Sequence, residues 1–481
     1  MSSSRFALPL LAAALLAGCG GGDYEPEVRA DEKELGARQH PQLLAEFGGA
    51  YRAPEADYAR RVGQKIATAA GLEGECTFTL VNSDVVNAFA VPGCYIYVTR
   101  GLMGIVNSEA ELASVLAHEV GHIVAAHNRR QQRRSLWRSL GVWAVGAITG
   151  SEDLTRIAGR AAEYFTLRYS RNQEYEADGL GIRYLAAAGY DPYAAGDMLG
   201  ALGRHEQFMS RTRGRDEARA IPEWARTHPL AGNRVERAAQ TAAATGIADG
   251  VLPELEVPYL RELDGLLYGD DPEQGFVEGR RFAHPVMRIG FEAPEGFTLT
   301  NSPQAILIEG PDGLRGEFGG NRMPPGGLAA YSEGLIRALL RGAPAEAGPA
   351  QPARINGLPA LLVPVLVQTR EGAVELNIAA YDGGDGGAYH FILVAPPADS
   401  SRAAIGALFA SFRRLSPEQA LSLRPRLIRT VRVGPGQTPA SLAAAMASDH
   451  PLDHFLMLNG LAPGEAPKPG ELVKIVTFAP R

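Results

Sequence analysis

The chain has 481 residues, 46% hydrophobic and 21% charged, and a formal net charge of -7. That length exceeds one typical domain, so two or three folded units are expected. The slight acidity argues against a nucleic-acid partner, and the one basic run, Arg129 to Arg134, reads as a solvated helix face.

At the start, Arg5, an apolar run from Phe6 to Leu16 and small residues before Cys19 read as an export signal over residues 1–18, too short for a lasting membrane span. The tetrad Leu-Ala-Gly-Cys at 16–19 resembles the lipobox of bacterial lipoproteins, which implies an acylated Cys19 and a lipid anchor. By the same resemblance, Gly20 after the cysteine points to the periplasmic face of the outer membrane. Residues 19–39 then read as a polar tether. Cys76 and Cys94 remain as an even pair, a disulfide candidate in an oxidising compartment, with two buried thiols as the alternative. Between and after them, β-branched and aromatic alternation with a Pro-Gly turn predicts two or three strands beside an Ala-rich helical core.

The next segment, "NSEAELASVLAHEVGHIVAAH", opens with Ser108 and Glu111 in the spacing of a capping box. From there Leu112, Leu116, Val120, Ile123 and Val124 share one apolar arc, at about 100° per residue. His118 and His122 fall about 40° apart at its edge, with Glu119 beside them. Two imidazoles one turn apart reach a single zinc ion without bending the backbone. Zinc brings the pKa of a bound water to about 7, and Glu119 is placed to take its proton. A bare His-Glu pair means little: His205-Glu206 has no second histidine.

A catalytic zinc needs a third protein ligand. Residues 169–192 have helical periodicity and carry Glu174, Glu176 and Asp178. Glu174 and Asp178 share a face, so one is placed to bind the ion and the other to hold a ligating imidazole. Spacing alone does not exclude Glu176.

Together "NAFAVPG", "LAHEVGHIVAAH", "SRNQEYEADGLGI", "AGYDP" and "THPLAGNRVERA" resemble the HtpX and CAAX-prenyl-endopeptidase family of gluzincins, in its soluble periplasmic, BepA-like branch. The resemblance implies one zinc ion per chain on His118, His122 and Glu174, Glu119 as general base and Asp178 supporting a ligand. It also implies that Asn87, Ala88, Phe89 and Ala90 form an edge strand on which an extended substrate pairs. In that branch a His-Pro can place its imidazole on the metal at rest; here the match is His228-Pro229, with a packing histidine as the alternative. Residues 129–150 read as a surface-lying amphipathic piece, a lid or a buried hairpin.

Beyond a linker at 251–280, residues 281–416 read as an α+β domain with an antiparallel sheet. Its helices are expected near Ala329 to Leu340 and Arg402 to Phe412. Residues 427–478 resemble a LysM module, which implies binding to peptidoglycan. The expected fold class is multidomain: a mostly α zincin-type peptidase domain (40–250) with a small β-sheet, the α+β domain, then the small LysM-like α/β module. The expected function is hydrolysis of unfolded or misassembled envelope polypeptides in the periplasm, near the outer-membrane assembly machinery. The alternatives are a chaperone or scaffold for outer-membrane proteins, or a peptidoglycan-binding structural lipoprotein.

Overall fold

The computed structural model of the chain describes residues 26–130, 169–212, 224, 228, 233–340, 345–369, 372–384, 386–395 and 398–480. The signal segment, Cys19, Pro229 and all of the 129–150 stretch except Arg129 and Arg130 lie outside these residues.

The N-terminal half is helical. After α1 (Ala30–Glu46) and α2 (Pro54–Ala69) comes a small sheet of β1 (Thr77–Val81), β2 (Ala88–Val91) and β3 (Tyr95–Thr99). Its order is β1-β3-β2, with β1 parallel and β2 antiparallel to β3, so β2 lies at an edge. A disulfide joins Cys76 to Cys94 across the start of the sheet. The chain continues through α3 (Arg100–Ile105), α4 (Glu109–Val124), α5 (Arg171–Ala187), α6 (Ala194–Thr212) and α7 (Arg234–Ala243).

Helix α4 starts where the cap residue dictates, since Ser108 Oγ accepts the Glu111 N–H at 3.0 Å. The Glu111 carboxylate does not close the expected box on Ser108; it accepts the Asn107 N–H at 3.1 Å instead. Nearly every α4 side chain is buried, because α2, α5 and α6 pack around it. The α4–α5 contact is backbone-close. A Cβ on Gly121 would sit 2.9 Å from Ala177 O, and one on Gly181 would sit 3.1 Å from His118 N. Glycine at these two positions lets the helices approach this closely, so that residues 174 and 178 reach residues 118 and 122.

Within residues 251–280, expected as a linker, Tyr259, Leu263 and Leu266 pack into the same core as α4. Helix α8 (Glu256–Glu262) buries Tyr259, whose hydroxyl donates to Met103 O at 2.7 Å, and Leu263 and Leu266 are buried after it. Strand β4 (Leu267–Tyr268) then pairs with a strand of the far C-terminal unit.

The β-rich region follows. An antiparallel sheet of β5 (Phe276–Glu278), β6 (Arg281–His284), β7 (Ile289–Glu292) and β16 (Arg413–Arg414) flanks an eight-stranded one. The larger sheet contains β8 (Thr298–Asn301), β9 (Ile306–Glu309), β10 (Arg315–Arg322), β11 (Ala345–Ala347), β12 (Gln351–Ile355), β13 (Leu358–Thr369), β14 (Gly372–Asp382) and β15 (Gly387–Ala395). Central strands are apolar on both faces because each face is covered. Phe391 and Leu393 point to the core under helix α10 (Asp399–Ser411), and Leu376 and Ile378 to that under helix α9 (Gly327–Leu340).

The C-terminal unit runs β17 (Arg426–Arg432), α11 (Pro439–Ala443), α12 (Pro451–Leu458) and β18 (Leu472–Phe478). Its Ile428, Phe455, Leu458 and Val476 join the same core as α4. At the contact Lys474 is fully buried, its ammonium donating to Gly104 O at 2.9 Å and Val106 O at 2.8 Å.

Candidate metal centre

The α4–α5 approach brings four donors together. One nitrogen each from His118, His122 and His228 and one carboxylate oxygen of Glu174 lie within 4.8 Å of one another, and all four residues are buried. His118 Nε2 is 3.0 Å from His122 Nε2, 3.2 Å from His228 Nδ1 and 3.5 Å from Glu174 Oε2. Glu174 Oε1 is 3.1 Å from His228 Nδ1 and 3.6 Å from His122 Nε2. Glu119 lies beside them, its Oε1 3.5 Å from His228 Nε2.

Each donor is held from behind. His118 Nδ1 is 2.9 Å from Asp178 Oδ1, and Arg234 clamps Asp178 through Nε at 3.0 Å and Nη2 at 2.7 Å. The same guanidinium reaches Glu174 Oε2 at 3.0 Å. Trp224 stacks on His228 with ring centroids 4.8 Å apart, and its backbone N–H donates to Val86 O just before β2. Tyr169 stacks on His122 at 3.9 Å. His127 Nδ1 lies 2.7 Å from His122 Nδ1, and its Nε2 lies 2.9 Å from Glu176 Oε2.

Neighbouring donors shift one another's protonation. Burial opposes charge on His118, yet the Asp178 and Glu174 carboxylates outweigh it and raise the ring to about 9. Burial likewise pushes the Glu174 carboxyl up, but His228 and His118 hold it well below its usual range. Burial, with the neighbouring His118, keeps His122 well below an ordinary histidine. Positive charge at His118 Nε2, from a proton or a metal ion, suits these carboxylates alongside the Arg234 guanidinium. Three imidazoles and a carboxylate are the nitrogen and oxygen donors that suit a divalent transition metal, so the residues fit such an ion. Glu119 is a separate case: burial raises its carboxyl, and its Oε1 has no hydrogen-bond partner among the described residues. It faces the cluster without being one of the four donors.

His118, Glu119, His122, Glu174, Asp178 and His228 therefore meet in space, whereas Glu176 turns away to His127 and Arg130. Asn87 is buried, and Ala88 to Ala90 lie on β2, whose outer side pairs with no other strand among the described residues. Sequence reasoning misses His127, Tyr169, Trp224 and Arg234. His127 and Arg234 stand in the quoted motif stretches, but nothing in their spacing marks them.

Residues 54–242 match the model of Peptidase family M48. The chain is similar to the beta-barrel assembly-enhancing protease of Yersinia pestis, 31% identical over 195 residues, covering 38% of each chain. It is 34% identical over 161 residues to the mitochondrial metalloendopeptidase OMA1 of Arabidopsis thaliana, covering 34% of this chain and 30% of that one. It is 34% identical over 176 residues to the beta-barrel assembly-enhancing protease of Escherichia coli (strain K12), covering 34% of each. The chain thus spans well under half the length of these relatives. A solved structure of a cyanobacterial PsbP from Synechocystis, 14% identical, covers 30% of this chain and 98% of that one with a TM-score of 0.24, too low to carry an argument. The helix motif, the donor cluster behind it and these matches agree in making residues 54–242 similar to Peptidase family M48.

Proposed function

We propose that this chain is a zinc-dependent endopeptidase of the bacterial envelope, acting in the periplasm on unfolded or misassembled envelope polypeptides. The observation that carries the reading is the buried four-donor cluster with Glu119 beside it. The family match and the relatives named as beta-barrel assembly-enhancing proteases support it.

One zinc ion would be held by His118, His122 and Glu174. Bound there, it would polarise the scissile carbonyl and acidify water. Glu119 takes the proton from the attacking water and delivers it to the leaving amine. Asp178 keeps His118 in its ligating orientation, and Arg234 keeps Asp178 in place. An extended substrate pairs with the outer side of β2 from Ala88 to Ala90, next to Asn87, so that main-chain bonds set its register.

His228 supplies a fourth donor. With all four in place no position is left for substrate, so the resting enzyme is latent until His228 withdraws. Acylation of Cys19 would tether the chain to the outer membrane, consistent with no helix among the described residues being long and apolar enough to cross one. The strand–helix–helix–strand order of the C-terminal unit supports a LysM-like module, with peptidoglycan as its partner.

The test is zinc content and casein cleavage by the full chain. Glu119→Gln is expected to keep one zinc per chain and lose cleavage by about 100-fold or more, while His228→Ala is expected to cleave faster than wild type. A Glu119→Gln protein that cleaves as wild type does, or a wild type without zinc, overturns the reading.

A further inference from the structure

The two histidines of the α4 motif are held in different ways. His118 has a carboxylate directly behind it, Asp178. His122 has none among the described residues: its Nδ1 faces a second imidazole, His127 Nδ1, at 2.7 Å. Two nitrogens at that distance share one proton, and the identity of the donor follows from the far side of His127. There Nε2 lies 2.9 Å from Glu176 Oε2. An ionised carboxylate only accepts, so His127 carries its hydrogen on Nε2. A neutral imidazole has one N–H, which leaves His127 Nδ1 bare and able only to accept. The proton between the rings therefore sits on His122 Nδ1. His122 Nε2 is then bare, and that is the atom 3.0 Å from His118 Nε2 and 3.6 Å from Glu174 Oε1, inside the donor cluster.

The backbone is bent to make this contact. On an unbroken helix, a residue five positions after His122 would point about 140° away from it. Instead α4 ends at Val124, and Ala126 takes a left-handed backbone with φ 50°. That region is unfavourable for any residue with a Cβ. The reversal swings His127 back beneath His122, where the ring is fully buried. Glu176 is anchored in turn by Arg130, whose Nη1 lies 3.3 Å away. Tyr169, stacked on His122, bonds through its hydroxyl to Asn128 Oδ1 at 2.6 Å, so the residue after His127 steadies the same ring.

We propose that His127 and Glu176 are positioning residues that set the tautomer and orientation of His122, a second holding arm for the metal centre parallel to Asp178–Arg234. The inference rests on the metal-centre reading above and gives Glu176 a role outside the ligand set. Helix α5 thereby serves both histidines: Glu174 within the cluster, Asp178 behind His118, and Glu176 behind His122 through His127.

The experiment measures zinc affinity of the full chain by chelator competition, together with the visible absorption of the cobalt(II)-substituted protein. His127→Phe keeps the buried ring volume but removes the acceptor, and is expected to weaken zinc binding about 10- to 100-fold and to alter the cobalt spectrum. His127→Asn, whose amide oxygen accepts the His122 proton, is expected to recover most of the affinity. Glu176→Ala is expected to keep one zinc per chain with affinity reduced several-fold, whereas Glu174→Ala loses the site. Glu176 is partly exposed, so its variant tests the arm even if His127→Phe fails to fold. Wild-type zinc affinity and cobalt spectrum in His127→Phe and Glu176→Ala would overturn the inference and leave the metal-centre reading standing. A wild-type chain that binds no zinc overturns both.

Discussion

The helical region that matches the M48 model and the β-rich region differ in what they bury beside their apolar side chains. Around α4 the buried set includes Glu111, His118, Glu119, His122, His127, Glu174 and Arg234. Between residues 276 and 415 no Asp, Glu, Lys or Arg is buried among the described residues. Phe282, Phe291, Phe318, Phe391 and Phe412 pack ring against ring there instead, with centroids between 4.8 and 6.3 Å apart. An aromatic interior stabilises by burying apolar area. A charged interior pays desolvation and returns it only through partners held in place. The difference teaches that the helical region surrounds its donors with an apolar core and holds each charge by a partner, whereas the β-rich region buries no such charge among the described residues.

The sharpest way to break this comparison is Phe391→Ala. That ring is fully buried against Phe291 and Phe318, and its loss is expected to destabilise the β-rich region by about 3 to 5 kcal/mol in denaturant unfolding. Zinc content of the chain should stay unchanged. A cost under about 1 kcal/mol would mean the aromatic interior is not what holds that region.

Lys474→Met probes the other side of the comparison. Burial pulls this ammonium down to about 7, and it still satisfies two carbonyls, of Gly104 and Val106, next to the start of α4. A methionine of similar length leaves both carbonyls without their donor, so a loss of about 1 to 3 kcal/mol is expected in thermal unfolding. A neutral result would show that the C-terminal unit docks by its apolar contacts alone.

The smallest effect is expected at Glu254, whose carbonyl accepts the Ala110 N–H at the first turn of α4. Burial, then Asp197, Glu256, Asp191 and Asp249, raise its carboxyl to about 7. A folded-state pKa above the unfolded one means its contribution is fully present below the ordinary carboxylate range and is lost as pH rises through 7. Glu254→Gln, which mimics the protonated form, should therefore stabilise the protein at pH 8 by about 1 kcal/mol, after allowing for partial solvent exposure. The gain should shrink toward pH 5. An equal gain at both pH values would assign it to packing rather than charge.

Local periodicity accounts for the features legible in the sequence. The capped start of α4 follows from Ser108, and the four-residue spacing of His118 and His122 and the matching spacing of Glu174 and Asp178 on α5 follow from 3.6 residues per turn. Each is a property of one short segment, so composition and order suffice.

The features that are not legible there depend on contacts between distant segments. Spacing leaves Glu174 and Glu176 as equals; the backbone approach at Gly121 and Gly181 decides between them by turning one to the cluster and the other to His127. His127 reaches His122 only because the chain reverses at Ala126, which no helical repeat predicts. Residues 251–280 and the C-terminal unit join the α4 core through the pairing of β4 with β17 and through Lys474, contacts between segments far apart in the chain. Sequence alone determined which residues lie on each helix face. Tertiary packing decided which of those faces meet, because a donor set is made by the gap between helices and not by either helix alone.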